Sequence, residues 1–147
     1  MATNAREIKT VPEKVWAVLA DGWLYPLWVV GATRMRDVDA AWPQQGSKIH
    51  HSAGVWPAVL DDNTEVLDSD PGRMLRLRAR GWPIGEAEVT ITLTPSGANT
   101  LVEIAEKAVS GPGALIPPPI EAVLMKWRNS ETLRRLAYVA ENRQIST

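Results

Sequence analysis

The chain is predicted to fold as an α+β domain: a strongly curved, seven-stranded antiparallel sheet wrapped around one long C-terminal helix, with two short helices after the first strand. Three observations carry this expectation. The last third opens on Pro117-Pro118-Pro119 and runs from Ile120 to about Asn142 without Gly or Pro, rich in Ala, Leu, Glu and Arg. Residues 32–109 break instead into short alternating runs separated by Gly, Pro, Asp and Asn. Residues 2–30 hold one strand-like run followed by two short helical ones.

Residues 2–9 read as the opening strand. Thr10-Val11-Pro12-Glu13 then starts a helix: Thr10 and Glu13 have the spacing of a capping box, and Pro12 suits a first turn, where its missing N–H is not needed. Val15, Trp16, Val18 and Leu19 make the buried face, and Asp21-Gly22 stops the helix. Trp23 to Val30, WLYPLWVV, is too apolar for an exposed loop. It reads as a second short helix or turn carrying Trp23, Tyr25 and Trp28, ended by Gly31.

Six strands are expected next. Thr33 to Val38 is the first and Ser47 to Ser52 the second. Trp56 to Asp68 is longer, with a bend or bulge expected near Asp61-Asp62-Asn63, and Asp70-Pro71-Gly72 is a strong turn signal. From Met74 to Arg80, Leu75, Leu77 and Ala79 alternate with Arg76, Arg78 and Arg80. After the turn at Gly81 to Gly85, Ala87, Val89, Ile91 and Leu93 alternate with Glu86, Glu88, Thr90 and Thr92. Residues 95–99 form a hairpin loop, and Thr100 to Val109 completes the set. Short turns between consecutive strands dictate an antiparallel meander with one buried face. On the other face, Arg76, Arg78 and Arg80 are expected to pair with Glu86 and Glu88 as a solvated charge ladder.

In the last element, Pro119 can open a helix but none of the three prolines can sit inside one. Apolar residues at 120, 123, 124 and 127, then at 133, 136, 137 and 140, read as one stripe facing a flat apolar surface. Asn129 and Ser130 interrupt it, as suits a helix lining a partly wet cavity. A helix of about 35 Å, at 1.5 Å per residue, cannot by itself fill the inner face of seven curved strands. A cavity between helix and sheet is the expected consequence.

The bulk numbers narrow the function. One domain, 1–147, is long enough to bury a core. Sixteen basic against seventeen acidic residues give a net charge of −1, so nothing supports a nucleic-acid partner. The absence of cysteine excludes disulfides, thiol catalysis and cysteine-bound metal. No signal-like or membrane-length run is present, so the expectation is a soluble cytoplasmic protein without membrane insertion. Seven Trp and no Phe is an unusual usage: Trp brings a large apolar surface and one N–H donor, suited to a core or to a pocket wall.

The chain resembles the START-related helix-grip superfamily (SRPBCC), in its polyketide cyclase/dehydrase and lipid-transport branch. The resemblance rests on Val15-Trp16-Ala17-Val18-Leu19-Ala20-Asp21 followed by Tyr25-Pro26-Leu27-Trp28, and on Glu65-Val66 followed by Pro71-Gly72-Arg73-Met74-Leu75. It continues through Leu93-Thr94-Pro95 with Gly97 and Asn99-Thr100-Leu101-Val102, and ends in Leu133-Arg134-Arg135-Leu136 with Glu141. It implies a helix-grip fold and a hydrophobic ligand cavity, and no single chemistry, because this fold hosts carriers, receptors and enzymes.

The candidate site residues follow. His50 and His51 are the only histidines, and as strand neighbours they point to opposite faces. If Ile49 faces inward so does His51, as an acid/base group, a hydrogen-bonding handle or a structural histidine. In the last strand Val102 and Ile104 share a face with Glu106, which places that carboxylate inside unless a bulge turns it out; once buried, it needs a partner or a proton. Trp28, Trp56, Trp82 and Trp127 are candidate cavity walls, each with plain core packing as the alternative, and Ser130 lies on the helix face interrupted by polar residues. Leu115 and Ile116 are the apolar tips of a Gly-rich connection that resembles a lid. No metal site and no cofactor are expected. The reading placed first is a non-catalytic binder or carrier of a lipid, polyketide or aromatic metabolite. The alternative is a polyketide cyclase/dehydratase-like enzyme with His51 and Glu106 as acid/base residues, and a third is an interaction module using the outer sheet face. The partner expected is a small hydrophobic molecule; no oligomeric state is implied.

Overall fold

In the computed structural model, residues 2–30, 32–53, 60–81, 85–110 and 118–142 are described. The chain runs β1 (Ala2–Ile8), α1 (Pro12–Ala20), a single 3-10 turn (Gly22–Leu24), α2 (Tyr25–Trp28), β2 (Ala32–Val38), β3 (Lys48–Ala53), β4 (Leu60–Asp70), β5 (Met74–Gly81), β6 (Gly85–Ser96), β7 (Asn99–Ser110) and α3 (Pro118–Asn142). All seven strands form one curved antiparallel sheet in the order β1-β7-β6-β5-β4-β3-β2, a helix-grip fold. Strands β2 to β7 are a meander, and β1 closes on the outer side of β7.

The alternating patterns set the buried face. Ile49 on β3, Thr64 and Val66 on β4, Leu75 and Leu77 on β5, Ile91 and Leu93 on β6, and Val102 and Ile104 on β7 all point inward. They meet Val15, Val18 and Leu19 of α1 and Leu133, Leu136, Ala137 and Ala140 of α3. Tight turns at Gly72 (φ +80°) and Gly97 (φ +62°) need the left-handed backbone that glycine adopts without penalty. In the β5–β6 register Arg78 stands opposite Glu88 and Arg80 opposite Glu86. Glu88 takes both Arg76 (3.0 Å) and Arg78 (3.7 Å), and the Arg76 hydrogen bond is the main cause holding its carboxyl below the usual range.

Helix α3 runs alongside β1, tied near each end. The Asn4 amide donates to the Lys126 carbonyl (3.1 Å), and the Lys9 N–H donates to Glu141 Oε2 (2.9 Å).

Three expectations are corrected. Helix α1 is preceded by Val11 with no side-chain cap, so Thr10 and Glu13 do not form a capping box; the Thr10 carbonyl instead accepts from the Thr100 hydroxyl (2.8 Å). Strand β4 pairs with β3 without interruption from Leu60 to Glu65, and its irregularity lies at Val66/Asp68 rather than at 61–63.

The third correction concerns α3. Its buried stripe is Met125, Asn129, Thr132, Leu133, Leu136, Ala137 and Ala140. Ile120, Val123, Leu124 and Trp127 are exposed. The reason is helical phase: six residues separate Trp127 from Leu133, roughly 600° at 3.6 residues per turn, so the two apolar runs lie far apart around the axis. The run that packs on the sheet continues backward through Asn129 to Met125.

Candidate functional site

The interior between the sheet and the helices contains a connected set of polar side chains. Its centre is Tyr25, the first residue of α2, held there because the short apolar α2 lies against α3 and β2. The Tyr25 hydroxyl lies 3.1 Å from Thr64 Oγ1, and Thr64 Oγ1 lies 2.8 Å from His51 Nε2. The Tyr25 ring stacks on the His51 imidazole (centroids 5.4 Å apart, planes 22°) and meets Trp28 edge-on (5.2 Å, 70°).

Strand geometry explains the grouping. Thr64 faces Ile49 across the β3–β4 ladder, and His51 is two residues further on, the diagonal neighbour on the same face. Alternation therefore brings His51 inward beside Thr64, with only 2% of its surface exposed. His50 points the other way and meets Asp39 Oδ1 at 3.2 Å. The Asp39 carboxyl is held below its usual range, first by the Lys48 N–H and then by His50.

Thr64 has one hydroxyl proton for two neighbours. The hydroxyl can donate to one and accept from the other, or accept from both the Tyr25 hydroxyl and His51 Nε2–H. The imidazole tautomer decides whether His51 Nε2 donates or accepts. Burial pushes the Tyr25 hydroxyl up to about 12; the Thr64 bond works against this, Glu106 adds to the rise and Arg128 subtracts.

Glu106 is the buried carboxylate of β7. Strand parity persists past Ile104, so its carboxylate is buried (4% exposed), and the half-buried Arg128 of α3 supplies the partner that burial demands. Glu106 and Arg128 both act electrostatically on Tyr25. His51 stacks on Tyr25 and Glu106 acts on it electrostatically, from strands far apart in the sheet.

The other sequence-derived candidates are placed as follows. Trp28 is in the core beside Tyr25. Trp127, expected in a wall between helix and sheet, is 71% exposed, and Ser130 is exposed as well. The phase shift along α3 turns both away from the sheet and places Asn129, the other residue of the interrupting pair, inside. Trp56, Trp82, Leu115 and Ile116 lie outside the described residues.

Tyr25, Thr64 and Arg128 were not among the candidate site residues read from the sequence. A signal did exist for Thr64, which occupies the inward parity two residues before Val66. Among the described residues no cluster of His, Asp and Glu could hold a metal ion, and no helix is long and apolar enough to cross a membrane.

No curated protein sequence matches the chain. Among solved structures, the di-domain ARO/CYC StfQ from the steffimycin biosynthetic pathway is similar at a TM-score of 0.72 and 10% identity, over 95% of this chain and 49% of that one. The chain thus spans about half the length of that protein. Ara h 8.0201 is similar at a TM-score of 0.70 and 13% identity, over 96% and 98% of the two chains. A conserved protein from Geobacillus kaustophilus is similar at 0.70 and 21% identity, over 95% and 93%. At these identities the shared property is the fold. The model of the family described as polyketide cyclase/dehydrase and lipid transport matches residues 2–141, nearly the whole of the chain that builds this sheet, helix and polar interior. The chain belongs to that family.

Proposed function

We propose that the protein binds or carries a small hydrophobic molecule, a lipid, polyketide or aromatic metabolite, between the sheet and α3. The observation that carries this reading is the set of buried Tyr25, Thr64, His51 and Glu106 with the half-buried Arg128, against a largely apolar core. Well-packed apolar residues of similar volume are often as stabilising as a buried ion pair, or more so. Stability therefore does not account for the set, and polar groups that orient a largely apolar ligand do. The family's description and the biosynthetic setting of StfQ support the same ligand class.

The test is a titration with an environment-sensitive naphthalene dye. Saturable binding at one dye per chain, with quenching of Trp fluorescence, is the expected result; non-saturable or absent binding would sink the proposal. Native mass spectrometry of protein purified from its own host then identifies the ligand.

A second reading, a cyclase/dehydratase-like activity on a polyketide-like substrate, is favoured by one observation: His51 and Glu106 both bear on Tyr25. Glu106→Gln keeps the shape and removes the charge. It should leave ligand affinity within about threefold for a binder, a change of less than 1 kcal/mol, and abolish turnover for an enzyme. Product formation from a poly-β-ketone substrate distinguishes the two.

A further inference from the structure

Two buried nitrogen donors beside the polar cluster have no acceptor among the described residues: the indole Nε1 of Trp28 and the amide Nδ2 of Asn129. Their residues are 2% and 4% exposed, and both atoms are closed to solvent. Other N–H donors of the same kind find acceptors. Trp42 Nε1 donates to the Leu19 carbonyl (3.1 Å), and Asn4 Nδ2 donates to the Lys126 carbonyl (3.1 Å).

The two donors belong to elements that pack on each other. Helix α2 packs against α3, and the Val30 N–H, two residues after Trp28, reaches Thr132 Oγ1 at 3.5 Å. Asn129 lies one turn before Thr132 on the same buried stripe. Trp28 also meets Tyr25 edge-on, so the seam between α2 and α3 adjoins the polar cluster. A buried donor left unpaired is destabilising. Leu at position 129 would fill nearly the same space without an unmet N–H, and Phe at position 28 would remove its N–H with a loss of volume.

We infer that Trp28 Nε1 and Asn129 Nδ2 are hydrogen-bond donors for the ligand, taking the oxygen of a neutral carbonyl group on an otherwise apolar molecule. This rests on the binding function proposed above and specifies the chemistry of its ligand. A carbonyl oxygen offers two lone pairs and no proton, the complement of two N–H donors. Neutrality follows from the surroundings. Both donors are uncharged, and Arg128, the cation next to Asn129, already pairs with Glu106. A carboxylate buried at the seam would lack a countercharge. The acceptor enters where α2 and α3 now close on each other, so binding displaces the side chains that cover the two nitrogens.

The experiment compares three probes of one shape on the intact chain: acetylnaphthalene with a neutral carbonyl, ethylnaphthalene with no acceptor, and naphthoate with a charged one. Calorimetric titration should show acetylnaphthalene binding about tenfold tighter than ethylnaphthalene, the worth of one to two neutral hydrogen bonds, with naphthoate weaker than acetylnaphthalene. In Asn129→Leu that preference should shrink several-fold while ethylnaphthalene affinity is kept or improved, and Trp28→Phe should shrink it likewise. Should Trp28→Phe fail to fold, Asn129→Leu and the wild-type comparison decide alone. Equal affinity for the ketone and the hydrocarbon, or a preference unchanged in the variants, overturns the assignment of the donors. Tightest binding of naphthoate overturns the neutral carbonyl. If none of the three binds, the proposed binding function itself falls and takes this assignment with it.

Discussion

Tyr25 places its hydroxyl where water does not reach, and the consequence is a specific dependence of stability on pH. Burial raises its pKa from 10.0 to about 12. Between those values the unfolded chain has released the proton and the folded chain still holds it, so stability falls as pH rises through this window and is fully present below it. The contribution lost by pH 12 is on the order of 3 kcal/mol. Chemical denaturation at stepped alkaline pH should show this steep loss in the wild type and a shallower one in Tyr25→Phe; parallel curves would contradict the buried phenol. Thr64 makes a second test at this scale. Thr64→Val preserves shape but removes the atom shared by Tyr25 and His51, leaving two buried polar groups short of a partner. A loss of about 1–3 kcal/mol is expected, read as a lower urea midpoint with an unchanged slope.

Among the elements, the short 3-10 turn fits closely against its neighbours. A Cβ on Gly22 would lie 2.7 Å from Val38 Cγ1, 3.2 Å from Val38 Cγ2 and 3.3 Å from Trp42 Cδ1. Val38 is β-branched and stiff at χ1, so it cannot swing aside cheaply. Gly22→Ala should destabilise by about 1–3 kcal/mol, the usual range for overpacking, visible as a lower melting temperature. Helix α3 carries more. Its second half buries Leu133, Leu136, Ala137 and Ala140 against the core, and Glu131 bridges Arg134 and Arg135 on its outer side. Each fully buried Leu contributes about 1.5–3 kcal/mol, against a total of about 5–15 kcal/mol for a domain. A chain ending at Thr132 should lose cooperative melting; a transition near the full-length temperature would show α3 to be peripheral.

For the molecule as a whole, the division of its tryptophans separates structure from function. Trp127 stands 71% exposed on α3, while Trp28 is buried in the core, edge-on to Tyr25. Trp127→Ala should therefore change stability by less than about 0.5 kcal/mol, as surface substitutions usually do, and leave naphthalene-dye affinity unchanged. A large loss of dye binding in that variant would move the ligand to the outer face of α3 and away from the interior proposed here.

Period-2 and period-3.6 patterns act within a few residues, and what depends on them was legible in the sequence. The meander of strands and the inward parity of Ile49, His51, Val102, Ile104 and Glu106 follow from alternation, and the long terminal helix from its 3.6-residue pattern, both imposed by local sterics. The family resemblance rested on the same local runs. Tertiary structure decided the rest. Which of two apolar runs on α3 faces the sheet depends on how the helix docks, and that choice buried Asn129 and exposed Trp127 and Ser130. That Arg128 answers Glu106, and that Thr64 joins Tyr25 to His51, are contacts between residues 22, 39 and 13 positions apart. Hydrogen bonds and ion pairs of that span follow from the curvature of the sheet and the seating of α2 and α3 against it, which no local period encodes.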